Sequence, residues 1–291
     1  MYIKKKDQQF ILEREITSDR LSMEWYNNVA KESFTVQSIN GYDVPCTKIN
    51  SIDSPNTVII AHGVTETHIN SFKYAGLFAR LGYNIVVYDQ RRHGNTAGKT
   101  TSYGYYEKND LRAVVEKVRE MIGESAKLGI QGESMGAATA LLYGGTTPEQ
   151  VFDFIVADCS FTSFKAQLHH VMLRDTPFRT PYPIKLIDFF VEKRDGYKLA
   201  EVAPIDVVQN IRKPVLFVHS LEDTYIPPSM SEELYQKKKE ATRLVLFEKG
   251  VHAQSFNEQP KEYEETIQQF LLDFGMSSSY ENIVEPTSIP D

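Results

Sequence analysis

Three residues of this 291-residue chain could together perform nucleophilic chemistry: Ser134, Asp223 and His252. A serine hydroxyl is a weak nucleophile until a base takes its proton, and an imidazole base needs a carboxylate to hold its tautomer. Ser134 lies in Gly132-Glu133-Ser134-Met135-Gly136, after an apolar segment and before an Ala- and Leu-rich one. That reads as strand, sharp turn, helix. The flanking glycines remove side chains that would collide with the adjoining strand and helix. The hydroxyl then stands at a helix start, where free N–H groups can stabilise an oxyanion. By itself the pentapeptide is equally compatible with a Gly/Ser turn that only joins two elements.

The elements that must position these groups decide between the two. Short apolar runs at 57–61, 83–88, 127–132, 152–157, 214–219 and 243–247 read as parallel strands buried on both faces. Helical patterns at 72–81, 107–122, 228–239 and 260–274 alternate with them, which predicts an α/β fold: an open, mostly parallel sheet with helices on both faces. Asn40-Gly41 between 34–39 and 44–49 predicts an antiparallel hairpin at a sheet edge. A helix within 1–32, with Leu21, Trp25 and Val29 on one face, should pack on the body. The alternation breaks over 163–209, a segment with Pro177, Pro181 and Pro183, aromatics that include Phe164, Phe178 and Phe190, and helices near 164–174 and 183–193. Such an excursion can become a helical lid over the strand ends, and substrate contacts are expected there; packing as a surface elaboration is the alternative. We expect a single domain over 1–291, with a core of about 33–162 and 210–275, the lid insertion at 163–209 and a loosely ordered tail at 276–291.

In open α/β sheets, function collects just past the carboxyl ends of the strands. Ser134 follows the strand at 127–132, Asp223 the strand at 214–219 and His252 the strand at 243–247, in the chain order Ser, Asp, His of a nucleophile-elbow enzyme. Glu222 is the competitor to Asp223, but it stands one position earlier on a longer side chain. His219 reads as a core or supporting histidine, His169 and His170 as pocket lining, and His62, His68 and His93 precede the serine. Two backbone N–H groups should form the oxyanion hole: Met135, next to the serine, and Val64, in the loop His62-Gly63-Val64 where Gly63 would permit a close approach.

These motifs together resemble the α/β-hydrolase superfamily, specifically the serine hydrolases that include esterases, monoacylglycerol lipases and serine aminopeptidase-like proteins. His62-Gly63, Asp89-Gln-Arg-Arg-His-Gly94, the Ser134 pentapeptide, Asp223 with Ile226-Pro227, and Gly250-Val-His252 carry the resemblance over about 57–255. It implies an α/β-hydrolase fold, a carboxylesterase-like activity on small or medium acyl esters, and loop-bracing roles for Asp89 and Arg91. Ala137 stands where many relatives have a second glycine. The same triad could cleave a thioester, an amide or an N-terminal peptide bond, and Glu192, Asp195 and Glu201 are weak candidates for catching a peptide's amino group. A non-catalytic ligand-binding protein on this fold is the reading from another class.

Composition sets the bounds. Hydrophobic residues at 41% suffice for a large core, and a formal net charge of −7 gives no footprint for nucleic acid. Lys4-Lys5-Lys6 and Lys237-Lys238-Lys239 read as solvated faces. Two cysteines, Cys46 and Cys159, read as buried free thiols in a reducing compartment. With no apolar run long enough to span a bilayer and no leader-like start, a cytoplasmic location is expected. The expected partner is a small acyl ester, with no metal and no cofactor; oligomeric state is not legible.

Overall fold

Continuous apolar runs become strands here because both of their faces are covered. Every residue of β3 (Thr57–Ala61), β4 (Asn84–Tyr88), β5 (Leu128–Glu133), β6 (Phe154–Asp158) and β7 (Val215–Ser220) is buried. With β1 (Ala30–Ser38), β2 (Tyr42–Asn50) and β8 (Thr242–Phe247) they form one eight-stranded sheet in the order β1-β2-β4-β3-β5-β6-β7-β8. The computed structural model describes residues 5–177, 180 and 182–276. From β4 to β8 all neighbours pair in parallel, while β1–β2 and β2–β4 are antiparallel. The predicted hairpin is present: Ser38 faces Tyr42 across the turn, and Gly41 adopts φ 84°, which a residue without a Cβ takes at no cost.

Alternation along each strand divides the core. Val58 and Ile60 face one side, with Phe72, Leu77, Phe78, Tyr263 and Phe270. Ile59 faces the other, with Leu111, Val114, Val115 and Val118 from the helix Glu107–Ile122, and with Leu141 from the helix Met135–Thr146. The period of two in the strand meets the period of 3.6 in the helix, which explains why this helix was predictable to its ends.

The N-terminal region departs from the expectation of one helix. Asp7 caps a helix over Gln8–Thr17 and Ser22 caps a second over Met23–Asn28, because each side chain accepts a hydrogen bond that a continuing helix would take from its backbone. Leu21, Trp25 and the partly buried Val29 still pack on the body as expected, and Ile11 joins them. The segment over 163–209 holds helices Phe164–Asp175 and Tyr182–Asp195, gathered with Tyr197 and Leu199 in a third cluster over Leu142 and Met230. Phe178 and Pro181 lie outside the described residues, as does the tail expected from 277 on. Met276, assigned to that tail, is instead buried in the core, where its carbonyl accepts from Tyr83 Oη. No helix among the described residues is long and apolar enough to cross a membrane.

Candidate active site

The turn at Ser134 is as tight as its glycines imply. Ser134 adopts φ 56°, a region costly for a side-chain-bearing residue. A Cβ at Gly132 would lie 2.3 Å from the Gly136 backbone, and one at Gly136 would lie 1.9 Å from the Ala61 carbonyl oxygen. We therefore expect Gly136→Ala to destabilise the protein by more than the ~1–3 kcal/mol of ordinary overpacking, read as a drop in Tm of at least about 5 °C; an unchanged melt would show that the turn is looser than described. Gly63 is different: a Cβ there would meet its nearest atoms at 3.6 Å, an ordinary contact, so no close approach requires glycine at that position.

Ser134, Asp223 and His252 converge. Ser134 Oγ lies 2.8 Å from His252 Nε2. His252 Nδ1–H donates to Asp223 Oδ2 at 2.7 Å, which leaves Nε2 as the acceptor facing the serine. Asp223 is held in turn: Oδ1 accepts the backbone N–H groups of Tyr225 and Ile226 at 2.9 Å each. Burial pushes its pKa up, but hydrogen bonds from His219 and His252 outweigh this and hold the carboxylate well below its ordinary range. Glu222 does not reach the imidazole; its Oε2 accepts Gly250 N–H at 3.0 Å and so braces the loop that carries His252.

His219 occupies the supporting position read from the sequence. It is fully buried, its Nε2–H donates to Asp223 Oδ2 at 3.1 Å and to the Ile226 carbonyl at 2.9 Å, and Nδ1 accepts from Ser231 Oγ at 2.7 Å. The two oxyanion candidates have no acceptor for their N–H groups among the described residues, and Val64 lines the same cavity as Ser134. Its loop is braced by histidines. His62 Nδ1–H donates to Gly63 O at 2.7 Å, and Thr65 N–H donates to His93 Nε2 at 3.1 Å. Burial lowers both imidazoles, His93 to about 4, so each stays neutral and can accept. Asp89 accepts His68 N–H and Nδ1–H on Oδ1 and Asn95 N–H on Oδ2, while Arg91 donates to the Thr100 carbonyl and to Tyr42 Oη.

The cavity in front of Ser134 has a volume of about 590 Å³, and most of the residues that line it carry polar or charged side chains. Its walls come from the N-terminal helix, the loop after β3 and the loop bearing His252; among the described residues of 163–209, where substrate contacts were expected, none lines it. The described residues of that segment reach the loop after Asp223 instead. His170 Nε2 and Arg174 Nη1 donate to the Thr224 carbonyl, and Gln167 Nε2 donates to the Tyr225 carbonyl. Glu192 pairs with Lys198, Asp195 with Arg194, and Glu201 accepts Lys198 N–H, so the three acids considered for amine capture serve their own neighbours.

Several residues near the site gave no usable signal in the sequence. Lys6, read as solvated, pairs with Glu66. Lys73 Nζ and Tyr74 Oη donate to Glu133 Oε2 at 2.6 and 2.8 Å beneath the turn. Away from the site, beside the start of β7, Lys238, also read as solvated, is buried and donates to the Glu240 carbonyl. Cys159 is buried as expected, and its sulfur lies with ligand atoms of Asp223 and His252 in a group spanning 4.8 Å. The aspartate and imidazole already satisfy one another there, and burial beside Asp158 and Asp223 pushes the thiol well up, away from the thiolate a metal would need.

Asp158, at the end of β6, yields a pH prediction. Its Oδ2 accepts Tyr263 Oη at 2.9 Å, while Oδ1 is buried without a partner among the described residues. Burial, then the charge of Glu133, pushes its pKa up to about 6 from an ordinary 3.8. A carboxyl that holds its proton more tightly when folded favours the fold below about pH 4 and loses that contribution as pH rises through 6. Asp158→Asn should therefore raise stability at pH 8 by up to about 3 kcal/mol and flatten the pH dependence between 4 and 7, measured by urea melts. An equal loss of stability at pH 5 and pH 8 would contradict it.

The comparisons with known proteins follow the same outline. A family model described as serine aminopeptidase, S33 matches residues 53–174. The chain is 43% identical over 273 residues to the uncharacterized protein YqkD of Bacillus subtilis, covering 93% of this chain and 89% of that one. An esterase of Pyrococcus furiosus, Pf2001, superposes with a TM-score of 0.68 at 20% identity, over 87% of this chain and 94% of that chain. The acylaminoacyl peptidase of Pyrococcus horikoshii superposes with a TM-score of 0.62 at 17% identity, over 95% of this chain and 45% of that chain.

Proposed function

Given that the chain belongs to the α/β-hydrolase superfamily, we propose that it is a serine hydrolase that cleaves carboxylic esters through Ser134, His252 and Asp223. The observation that carries this is the continuous hydrogen-bonded line from Ser134 Oγ to His252, at 2.8 Å, and on to Asp223, at 2.7 Å, opening into a cavity. His252 takes the hydroxyl proton as Ser134 Oγ bonds to the acyl carbon. The N–H groups of Val64 and Met135 receive the oxyanion. The ester C–O bond then breaks, and His252–H⁺ protonates the leaving alcohol. Water, deprotonated by His252, releases the acid and restores Ser134. Asp223 keeps the imidazole in the required tautomer throughout. The same groups would serve a thioester, amide or N-terminal peptide bond; the engagement of Glu192, Asp195 and Glu201 with their neighbours favours the ester.

A fluorophosphonate probe tests the assignment directly. The expected result is a single adduct on the peptide containing Ser134, formed in native and not in denatured protein. Absence of labelling in folded protein would overturn it in favour of a ligand-binding role.

A further inference from the structure

The wall of the cavity facing the N-terminal helix is charged, and its charges do not cancel. Lys73 and Glu133 form a closed pair at 2.6 Å with little exposure. The rest is a shared network: Arg14 and Arg20 both bind Glu15, and Arg14 and Lys6 both bind Glu66. Glu66 is ionised: burial pushes its carboxyl up, but hydrogen bonds from Arg14 and Lys6 prevail and set it at about 2. Glu15, covered by both arginines, is likewise lowered against its burial. Three cations thus share two carboxylates, leaving one positive charge in excess in a cavity wall, where low-dielectric surroundings focus its field. Arg20 is the member of the network with an uncommitted edge, and it stands between this cavity and a neighbouring one lined by Trp25, Phe72 and Pro260. It commits Nε and Nη2 to Glu15, its Nη1 has no partner among the described residues, and the residue lines the cavity that contains Ser134.

Resting on the reading of Ser134 as nucleophile, we propose that the substrate carries an anionic group, a carboxylate or phosphate, on the part that lies toward the N-terminal helix, where Arg20, with Arg14 and Lys6 beside it, receives it. A guanidinium edge binds such oxygens through directed, charge-assisted hydrogen bonds. Hydrocarbon in the same place would strip water from these charges without replacing it.

Matched ester pairs test this on the intact protein. On the acyl side, mono-4-nitrophenyl glutarate is compared with 4-nitrophenyl pentanoate. On the alcohol side, 2-phosphoethyl butyrate is compared with propyl butyrate. In at least one pair kcat/KM should favour the anion by about tenfold or more at low salt, and the advantage should shrink several-fold at about 0.5 M salt. Arg20→Gln should collapse the ratio within that pair. If the variant fails to fold, the salt response of the unaltered protein decides. Ratios within about twofold in both pairs, indifferent to salt, would overturn the proposal. Fluorophosphonate labelling of the same samples separates the two claims: labelled protein without anion preference sinks only this inference, whereas unlabelled folded protein sinks the nucleophile.

Discussion

Ser134→Ala is expected to lower kcat for 4-nitrophenyl butyrate by about 10⁵–10⁶ while the melting temperature stays within a few degrees. The substitution deletes the atom that would bond to the acyl carbon and leaves His252 facing an empty position. The fold should tolerate it. Ser134 Oγ contributes one hydrogen bond, to His252, whereas the backbone that shapes the turn is held by Ser134 N–H donating to the Asp158 carbonyl at 2.8 Å and by Ala138 N–H donating to the Ser134 carbonyl at 3.1 Å. The strain at φ 56° remains with alanine, so no relief should raise stability much. Some turnover above the water rate should survive, since oxyanion donors act without the nucleophile. Turnover equal to that of the unaltered protein would remove Ser134 from the reaction.

Asp223→Asn should cost about 10⁴ in kcat, far more than the removal of one hydrogen bond would predict. The reason is the number of donors that this carboxylate receives. Oδ1 takes the N–H groups of Tyr225 and Ile226, and Oδ2 takes His252 Nδ1–H and His219 Nε2–H. An amide has one oxygen for these two places. If the oxygen keeps the backbone donors, the NH₂ faces His252, Nδ1 must accept, and the proton moves to Nε2, where it can no longer take the serine's proton. If the oxygen faces the imidazoles, two backbone donors meet an NH₂ and stability falls. Glu222→Gln is the contrasting variant: it keeps an oxygen for Gly250 N–H and should change kcat less than about tenfold. The opposite ranking, with Glu222→Gln the more damaging, would transfer the role to Glu222.

Much of the site was legible because its constraints are local. The helix Glu107–Ile122 was read to its ends because its apolar positions match the period of 3.6 and face a fully buried strand layer. Ser134, Asp223 and His252 could be grouped as candidates because parallel strands deliver their following loops to one edge, so position along the chain stands in for position in space. Where a local rule was stretched, it failed. One helix was expected before β1, but two capping side chains divide it. Gly63 was given a steric duty, yet a methyl group would fit.

What the sequence determined by itself, then, is the alternating fold, the turn at Ser134 and the order of the three residues proposed to act. These follow from periodicity and backbone sterics, which neighbouring residues settle. The tertiary structure alone decided what surrounds them. Arg14, Arg20 and Lys6 line the cavity although they stand more than a hundred residues before Ser134, and the described residues of the aromatic segment over 163–209 contribute none of that lining. Charge partners such as Glu15, Glu66 and Glu133 are chosen by which helix packs over which loop, and no pattern along the chain encodes that choice.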